Sequence, residues 1–269
     1  MSANTKSLKI RIKSVDSTLH LTKAMGLVAS SKMRRANAAM QAGRQYEAAV
    51  QNVVDLLTAV PDCADSPFMR EYQDGGKTRL IVIAGDRGLA GGYNANVFRT
   101  VRDFGEEVEI IPIGKRACER YGKPIVSSEK FYAADAFELA KELCQQFISG
   151  EYDRLGIVTT NYISMMTQTP EIKWILPLVK SEDVKSTAAI FEPDERTILD
   201  IAVPEYLSGR IVACVRESFA SEVAARRMAM DSAGKNAQQM IDELQLQYNR
   251  ARQGAITQEI TEIVAGAGN

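Results

Sequence analysis

Residues 8–57 read LKIRIKSVDSTLHLTKAMGLVASSKMRRANAAMQAGRQYEAAVQNVVDLL, and steps of four and three residues through them trace one line. The line is Leu8, Ile12, Val15, Leu19, Thr22, Gly26, Ala29, Met33, Ala36, Met40, Gly43, Glu47, Val50, Val54 and Leu57. Only Thr22 and Glu47 are neither apolar nor glycine. A repeat averaging 3.5 residues holds one seam on one side of an α-helix and imposes a left-handed supercoil. Small residues and methionines in the middle of the seam let a partner helix approach closely. That approach accounts for Gly26 and Gly43, each of which costs about 1 kcal/mol in a free helix. Residues 5–58 as one helix span roughly 80 Å at about 1.5 Å per residue.

The other end of the chain repeats the pattern. From Glu205 onward there is no proline, and Ala237, Ile241, Leu244, Tyr248, Ala251 and Ala255 recur at steps of four and three. Ile256, Ile260 and Ile263 continue with a small shift of phase. A second coiled-coil helix of about 60 residues, roughly 90 Å long, is expected there. Two such ends on one chain most simply pair antiparallel. The middle, about 140 residues, should be only some 30–35 Å across as a compact domain, so the paired helices are expected to project from it as a rod.

Proline and charge draw the same boundaries. All eight prolines lie between Pro61 and Pro204. Residues 1–60 hold nine Lys/Arg and three Asp/Glu, residues 61–204 hold 17 and 23, and residues 205–269 hold 7 and 8. The net charge of −1 therefore averages a basic first part, an acidic middle and a nearly neutral last part. The expected division is an N-terminal coiled-coil helix at 1–60, an α/β domain at 61–204 and a C-terminal coiled-coil helix at 205–269.

Inside the middle part the period changes. Arg79–Gly85 (RLIVIAG) is a short apolar run ending in glycine, as in a buried parallel strand, and Val108–Ile113 and Leu155–Thr160 look the same. Residues 95–104 and 134–149 have helical spacing between them. Alternating strands and helices imply a small Rossmann-like α/β sheet. Residues 170–204 are proline-rich and strand-prone, which suggests edge strands or a hairpin, and 180–187 reads as a polar surface loop.

Several function classes are excluded. Hydrophobic content of 45% and charged content of 25% belong to an ordinary folded chain, and no run of about 18 uncharged apolar residues could cross a bilayer. Cys63, Cys118, Cys144 and Cys214 are far apart with no CxxC, which fits thiols in a reducing compartment better than a disulfide framework or a zinc site. A basic amphipathic start imitates a mitochondrial transit peptide, but the pattern continues for dozens of residues, which favours a cytoplasmic protein.

Candidate chemistry is sparse. Gly85–Asn94 (GDRGLAGGYN) joins a strand to a helix, the place where α/β proteins bind phosphate. It lacks GxxxxGK[ST] and GxGxxG and contains no lysine. Three readings stay open: phosphate binding, a glycine-rich turn held by close backbone approach, or outward display of Arg87 to a partner. The single histidine, His20, lies off the seam, and GxSxG, HExxH and EF-hand patterns are absent. The basic strip Lys23, Lys32, Arg34, Arg35 and Arg44 suits an acidic protein surface better than nucleic acid, having no interleaved aromatics. An interaction and mechanical protein without catalytic, cofactor or metal residues is expected. The alternative is a nucleotide-binding α/β switch with a coiled-coil arm.

Three segments together resemble a known family. Residues 21–35, LTKAMGLVASSKMRR, are similar to the first-helix signature of the gamma subunit of rotary F-type ATP synthases. Asp86–Gly92, DRGLAGG, resembles that family's DRGLCGG turn, with Ala90 in place of the usual cysteine. Residues 248–264, YNRARQGAITQEITEIV, match its C-terminal signature, and all three occur in the family's order.

The resemblance implies a central-stalk subunit whose terminal helices form an antiparallel coiled coil inside a ring of alpha and beta subunits, in a 3:3:1 complex. The α/β domain is then the foot, resting with epsilon on the c-ring. Rotation of that ring by ion flow drives the beta subunits through their nucleotide states, and the chemistry belongs to beta and alpha. Peripheral attachment to the cytoplasmic face of a bacterial cell membrane follows. Residue by residue, Lys23, Met25, Arg87 and Arg226 match positions beside the beta lever, and Arg252 and Gln253 match positions that hydrogen-bond to a beta loop. Ile256, Ile260, Ile263 and Val264 fall in the tip held by an apolar sleeve. Gly26 departs from the bulkier, often charged residue common beside Met25, and the dithiol insertion of chloroplast forms is missing, so redox control of that kind is not expected.

Overall fold

Every seam position from Leu8 to Leu57 is withdrawn from solvent, wholly or in part. A computed structural model of the chain describes residues 3–73, 75–180 and 192–266. Helix α1 runs unbroken over Ala3–Thr58. The two polar seam residues are accommodated differently. Thr22 is buried and donates its hydroxyl to the Leu19 carbonyl at 2.9 Å, whereas Glu47 is paired with Arg210 of helix α5, Glu195–Gly266.

Contacts divide the chain into two compact units, one comprising Met1–Ser30 with Arg226–Asn269 and the other Ser31–Ala225. In the first, α1 and α5 pair antiparallel. Ser30 meets Arg227, a methyl added to Gly26 would lie 3.7 Å from Met230 Cβ, and one on Gly234 would lie 3.6 Å from Thr22 Oγ1. Leu19, Ala237 and Ile241 form a small buried cluster with Val15 against it. Extended in the register of Gly26 with Met230 and Thr22 with Gly234, the start of α1 at Ala3 falls opposite Gln253. The last turns of α5 therefore have no α1 residue to cover them, and Ile256, Ile260, Ile263 and Val264 are all exposed.

The second unit is built on a four-stranded sheet of order β2-β1-β3-β4. Strands β1 (Thr78–Ile83), β2 (Val108–Ile113) and β3 (Arg154–Tyr162) are parallel, and β4 (Gln168–Leu176) pairs antiparallel with β3. Successive residues of β1 serve opposite faces, as a period of two requires. Leu80 and Val82 pack with Val97 and Val101 of α2 (Tyr93–Phe104) and Ala117 of α3 (Lys115–Tyr121). Ile81 and Ile83 pack with α4 (Ala133–Ile148), the end of α1 and the first part of α5. Both faces are covered, which is why β1 reads as a continuous apolar run. The seven-residue α3 has too few turns to show a period and is missed by pattern, though glycines flank it at Gly114 and Gly122.

Helix α5 begins at Glu195, ten residues before the start expected from proline spacing, with Pro204 inside it. Asp194 supplies the cap, accepting from the Thr197 backbone N–H at 2.9 Å and the Thr197 hydroxyl at 2.8 Å. An interior proline costs about 3 kcal/mol. Around it Leu199, Val203, Tyr206 and Leu207 are buried, each contributing on the order of 2 kcal/mol, so tertiary packing outweighs the local penalty. Pro204→Ala restores a donor to the Asp200 carbonyl and should stabilise the full chain by about 1–2 kcal/mol in urea unfolding. Residues 170–176 do form the second arm of a hairpin, but 195–204 are helix rather than edge strand, and the loop expected at 180–187 lies, beyond Lys180, outside the described residues.

Candidate functional site

The β1–α2 turn is held by side chains of its own neighbourhood. Gly85 donates its N–H to Asn94 Oδ1 at 2.9 Å, and Asn94 Nδ2 reaches back to the Arg87 carbonyl at 3.4 Å. Leu89, at φ 61, and Gly91, at φ 57, take the left-handed conformations that reverse the chain. The Asp86 carboxylate gathers four donors: the Lys115 N–H at 3.0 Å, the Ser128 N–H at 2.9 Å, the Glu129 N–H at 3.1 Å and the Ser127 hydroxyl. Burial alone would raise the Asp86 carboxyl; the Ser127 hydroxyl and the three backbone donors outweigh it and hold the group below its ordinary value.

This geometry argues against phosphate. The Lys115 N–H at the start of α3 already serves Asp86, and a methyl on Gly85 would lie 2.6 Å from the Cδ of buried Glu222. Two carboxylates, those of Asp86 and Glu222, lie against the turn, and their charge would repel a polyphosphate. Of the three readings of the turn, a closely packed structural turn that displays Arg87 fits. Arg87 is exposed, and its Nη2 lies 3.8 Å from Glu129 Oε2.

The other candidate contacts lie in the first unit. Lys23 is exposed and Met25 and Arg226 are half-buried. Arg252 and Gln253 are exposed, about 40 Å farther along α5 at about 1.5 Å per residue. They sit beside the uncovered apolar end, so the candidates of this unit form two groups, one low and one high on the helices.

The basic strip is only partly outward-facing. Lys32 pairs with Glu129, and Arg44 pairs with Glu217 of α5 and donates to the Tyr162 carbonyl at 3.1 Å. Glu217 also lies 3.3 Å from Lys173 of β4 and accepts from the Tyr162 N–H at 3.2 Å. These partners are far off in sequence, and no local pattern in the basic strip could reveal them. Arg34 and Arg35 remain exposed. His20 is on the surface, 3.7 Å from Asp16.

Burial would raise the Glu217 carboxyl, but Arg44, Lys173 and the Tyr162 N–H lower it overall. Glu217 and Asp86 both titrate below their ordinary values of 4.5 and 3.8. Their contribution to folding is present above the unfolded-state pKa and is lost as pH falls through the folded one. The urea midpoint should therefore hold from pH 7 to about pH 5 and drop below about pH 4, with a shallower drop in Asp86→Asn. The thiols take no part: burial pushes Cys144 and Cys214 up to about 12, so neither is a thiolate at neutral pH. Among the described residues no cluster of His, Cys, Asp and Glu could hold a metal ion, and no helix is long and apolar enough to cross a membrane.

Long terminal helices paired in antiparallel register, together with a small α/β domain in the same chain, define a coiled-coil protein of mixed α/β class. A family model described as ATP synthase matches residues 4–268. The chain is 40% identical over 285 residues to the ATP synthase gamma chain of Ruminococcus albus, covering 99% of each, and 37% identical over 280 residues to that of Moorella thermoacetica, covering 98% of each. It belongs to the ATP synthase gamma chain family. The fold agrees with solved structures at low identity. A chain of the Euglena gracilis mitochondrial ATP synthase (OSCP/F1/c-ring, rotational state 3) superposes with a TM-score of 0.70 at 17% identity, covering 97% of this chain and 93% of that one. A chain of the rotor of the same synthase superposes with a TM-score of 0.66 at 16% identity, covering 94% and 99%.

Proposed function

We propose that this chain is the central-stalk, or rotor-shaft, subunit of an F-type ATP synthase. It couples ion-driven rotation of the c-ring to sequential conformational change, and so to ATP synthesis or hydrolysis, in the beta subunits. The chain is a non-catalytic subunit. Its end-to-end match to gamma chains, over 99% of both sequences, carries this conclusion. The antiparallel register supports it physically: it leaves a helical end whose exposed isoleucines require an apolar surround supplied by other chains.

The expected partners are alpha and beta in a 3:3:1 complex, with epsilon and the c-ring at the α/β domain and no nucleic acid. Attachment to the membrane is peripheral, through the complex, at the cytoplasmic face of a bacterial cell membrane. Lys23, Met25, Arg87 and Arg226 are proposed to meet the beta lever, and Arg252 and Gln253 a beta loop. Ile256, Ile260, Ile263 and Val264 are proposed to turn inside an apolar sleeve. Exposure of Lys23, Arg87, Arg252, Gln253 and the four apolar residues supports these assignments.

The test is co-expression of the full chain with alpha and beta. A 3:3:1 complex with ATPase activity, and little activity from the isolated chain, is expected. Full ATPase activity from the chain alone would sink the proposal.

A further inference from the structure

The two carboxylates beside Arg87 form a continuous path of contacts that the shaft function does not by itself require. Asp86 precedes Arg87 in the chain, and its carboxylate binds the backbone N–H of Ser128 and Glu129 and the Ser127 hydroxyl, fixing segment 127–129 against the turn. Ser127 Oγ in turn accepts from the Lys130 N–H at 3.2 Å, which closes the segment into a local turn. From that segment Glu129 sends its carboxylate in two directions. Oε1 meets Lys32 of α1, and Oε2 lies 3.8 Å from Arg87 Nη2. The path from Arg87 through Asp86 and Glu129 returns to the Arg87 guanidinium and is tied at the same carboxylate to α1.

We propose that Glu129 is a positioning residue for Arg87, bridging it to Lys32 so that the β1–α2 turn and α1 meet partner subunits as one surface. This rests on Arg87 being a partner contact. An arginine on an exposed turn has many rotamers to lose when it binds, and a carboxylate holding its guanidinium removes part of that loss beforehand. Fold stability is a minor part of the effect. The Arg87 side chain is 65% exposed and that of Glu129 35%, so water screens the pair and its net worth to the fold is small. The bridge acts by orienting charge that other chains read, and by giving load on Arg87 a direct route into α1.

The experiment uses the complex reconstituted with partner subunits and an ion-tight membrane, measuring ATP-driven ion pumping per ATP hydrolysed. Arg87→Ala is expected to lower that ratio on the order of threefold. Glu129→Gln, which keeps shape and removes charge, should reproduce most of that loss without moving the melting temperature of the isolated chain. Glu129→Asp should recover part of the ratio, and the Arg87→Ala/Glu129→Gln double variant should be no worse than Arg87→Ala. A wild-type ratio in Glu129→Gln beside a lowered one in Arg87→Ala overturns the bridge alone, as do effects that multiply in the double variant. A wild-type ratio in Arg87→Ala removes the contact and the bridge together.

Discussion

Glu217→Ala is expected to lower the unfolding free energy of the full chain by about 3 kcal/mol. Glu217 is 3% exposed and lies where α5 crosses the sheet edge, between Arg44 of α1 and Lys173 of β4. Removing one member of a buried ion pair costs about 3–5 kcal/mol because the remaining charge has no partner. Here the lower end applies, since the Arg44 side chain is 39% exposed and turns toward water more readily than a sealed cation. The Tyr162 N–H at the end of β3 also loses its acceptor. Glu217→Gln keeps one acceptor oxygen for Arg44 and the Tyr162 N–H but loses the charge and the oxygen that faces Lys173, so it should cost less than Glu217→Ala, about half as much. Urea unfolding at pH 7 measures both, and equal stability of Glu217→Ala and wild type would show that the network does not hold α1 and α5 to the sheet.

Gly114→Ala is expected to be comparably damaging, by about 3 kcal/mol, through backbone rather than charge. Gly114 sits between β2 and α3 at φ 100, a conformation that L side chains rarely adopt. An added methyl would fall 1.9 Å from the Ala84 carbonyl oxygen, which is backbone and cannot swing aside. The displacement would reach the turn, because Gly114 donates to the Val126 carbonyl at 3.0 Å and the next residue, Lys115, donates to Asp86. Thermal unfolding should show the loss, and Arg87 presentation should suffer with it. Gly122→Ala, at φ 64 but with open space around it, should cost no more than about 1–2 kcal/mol.

What sequence could and could not reveal divides by range. The α1 seam and its α5 counterpart are legible because a coiled coil is a one-dimensional pattern, and each step of 3.5 residues repeats the same test. The buried strands are legible because β1 is covered on both faces. The start of α5 is not, since Pro204 obeys a local rule that Leu199, Val203 and Tyr206 override by burial; the cap at Asp194 was the available signal. Lys32 and Arg44 look like members of an outward strip until Glu129 and Glu217 arrive from residues 97 and 173 positions away. Glu47, an anomaly in the seam, becomes intelligible only beside Arg210. The candidate contacts rest on family resemblance alone, because their meaning depends on surfaces of other chains.

Attaching a bead to this chain within an immobilised complex of alpha and beta, and supplying ATP, tests the shaft role most directly. Rotation in one direction in three main steps per turn is expected, with ATP turnover locked to the steps. ATP hydrolysis by the complex while the bead stays still or diffuses freely would contradict the shaft role.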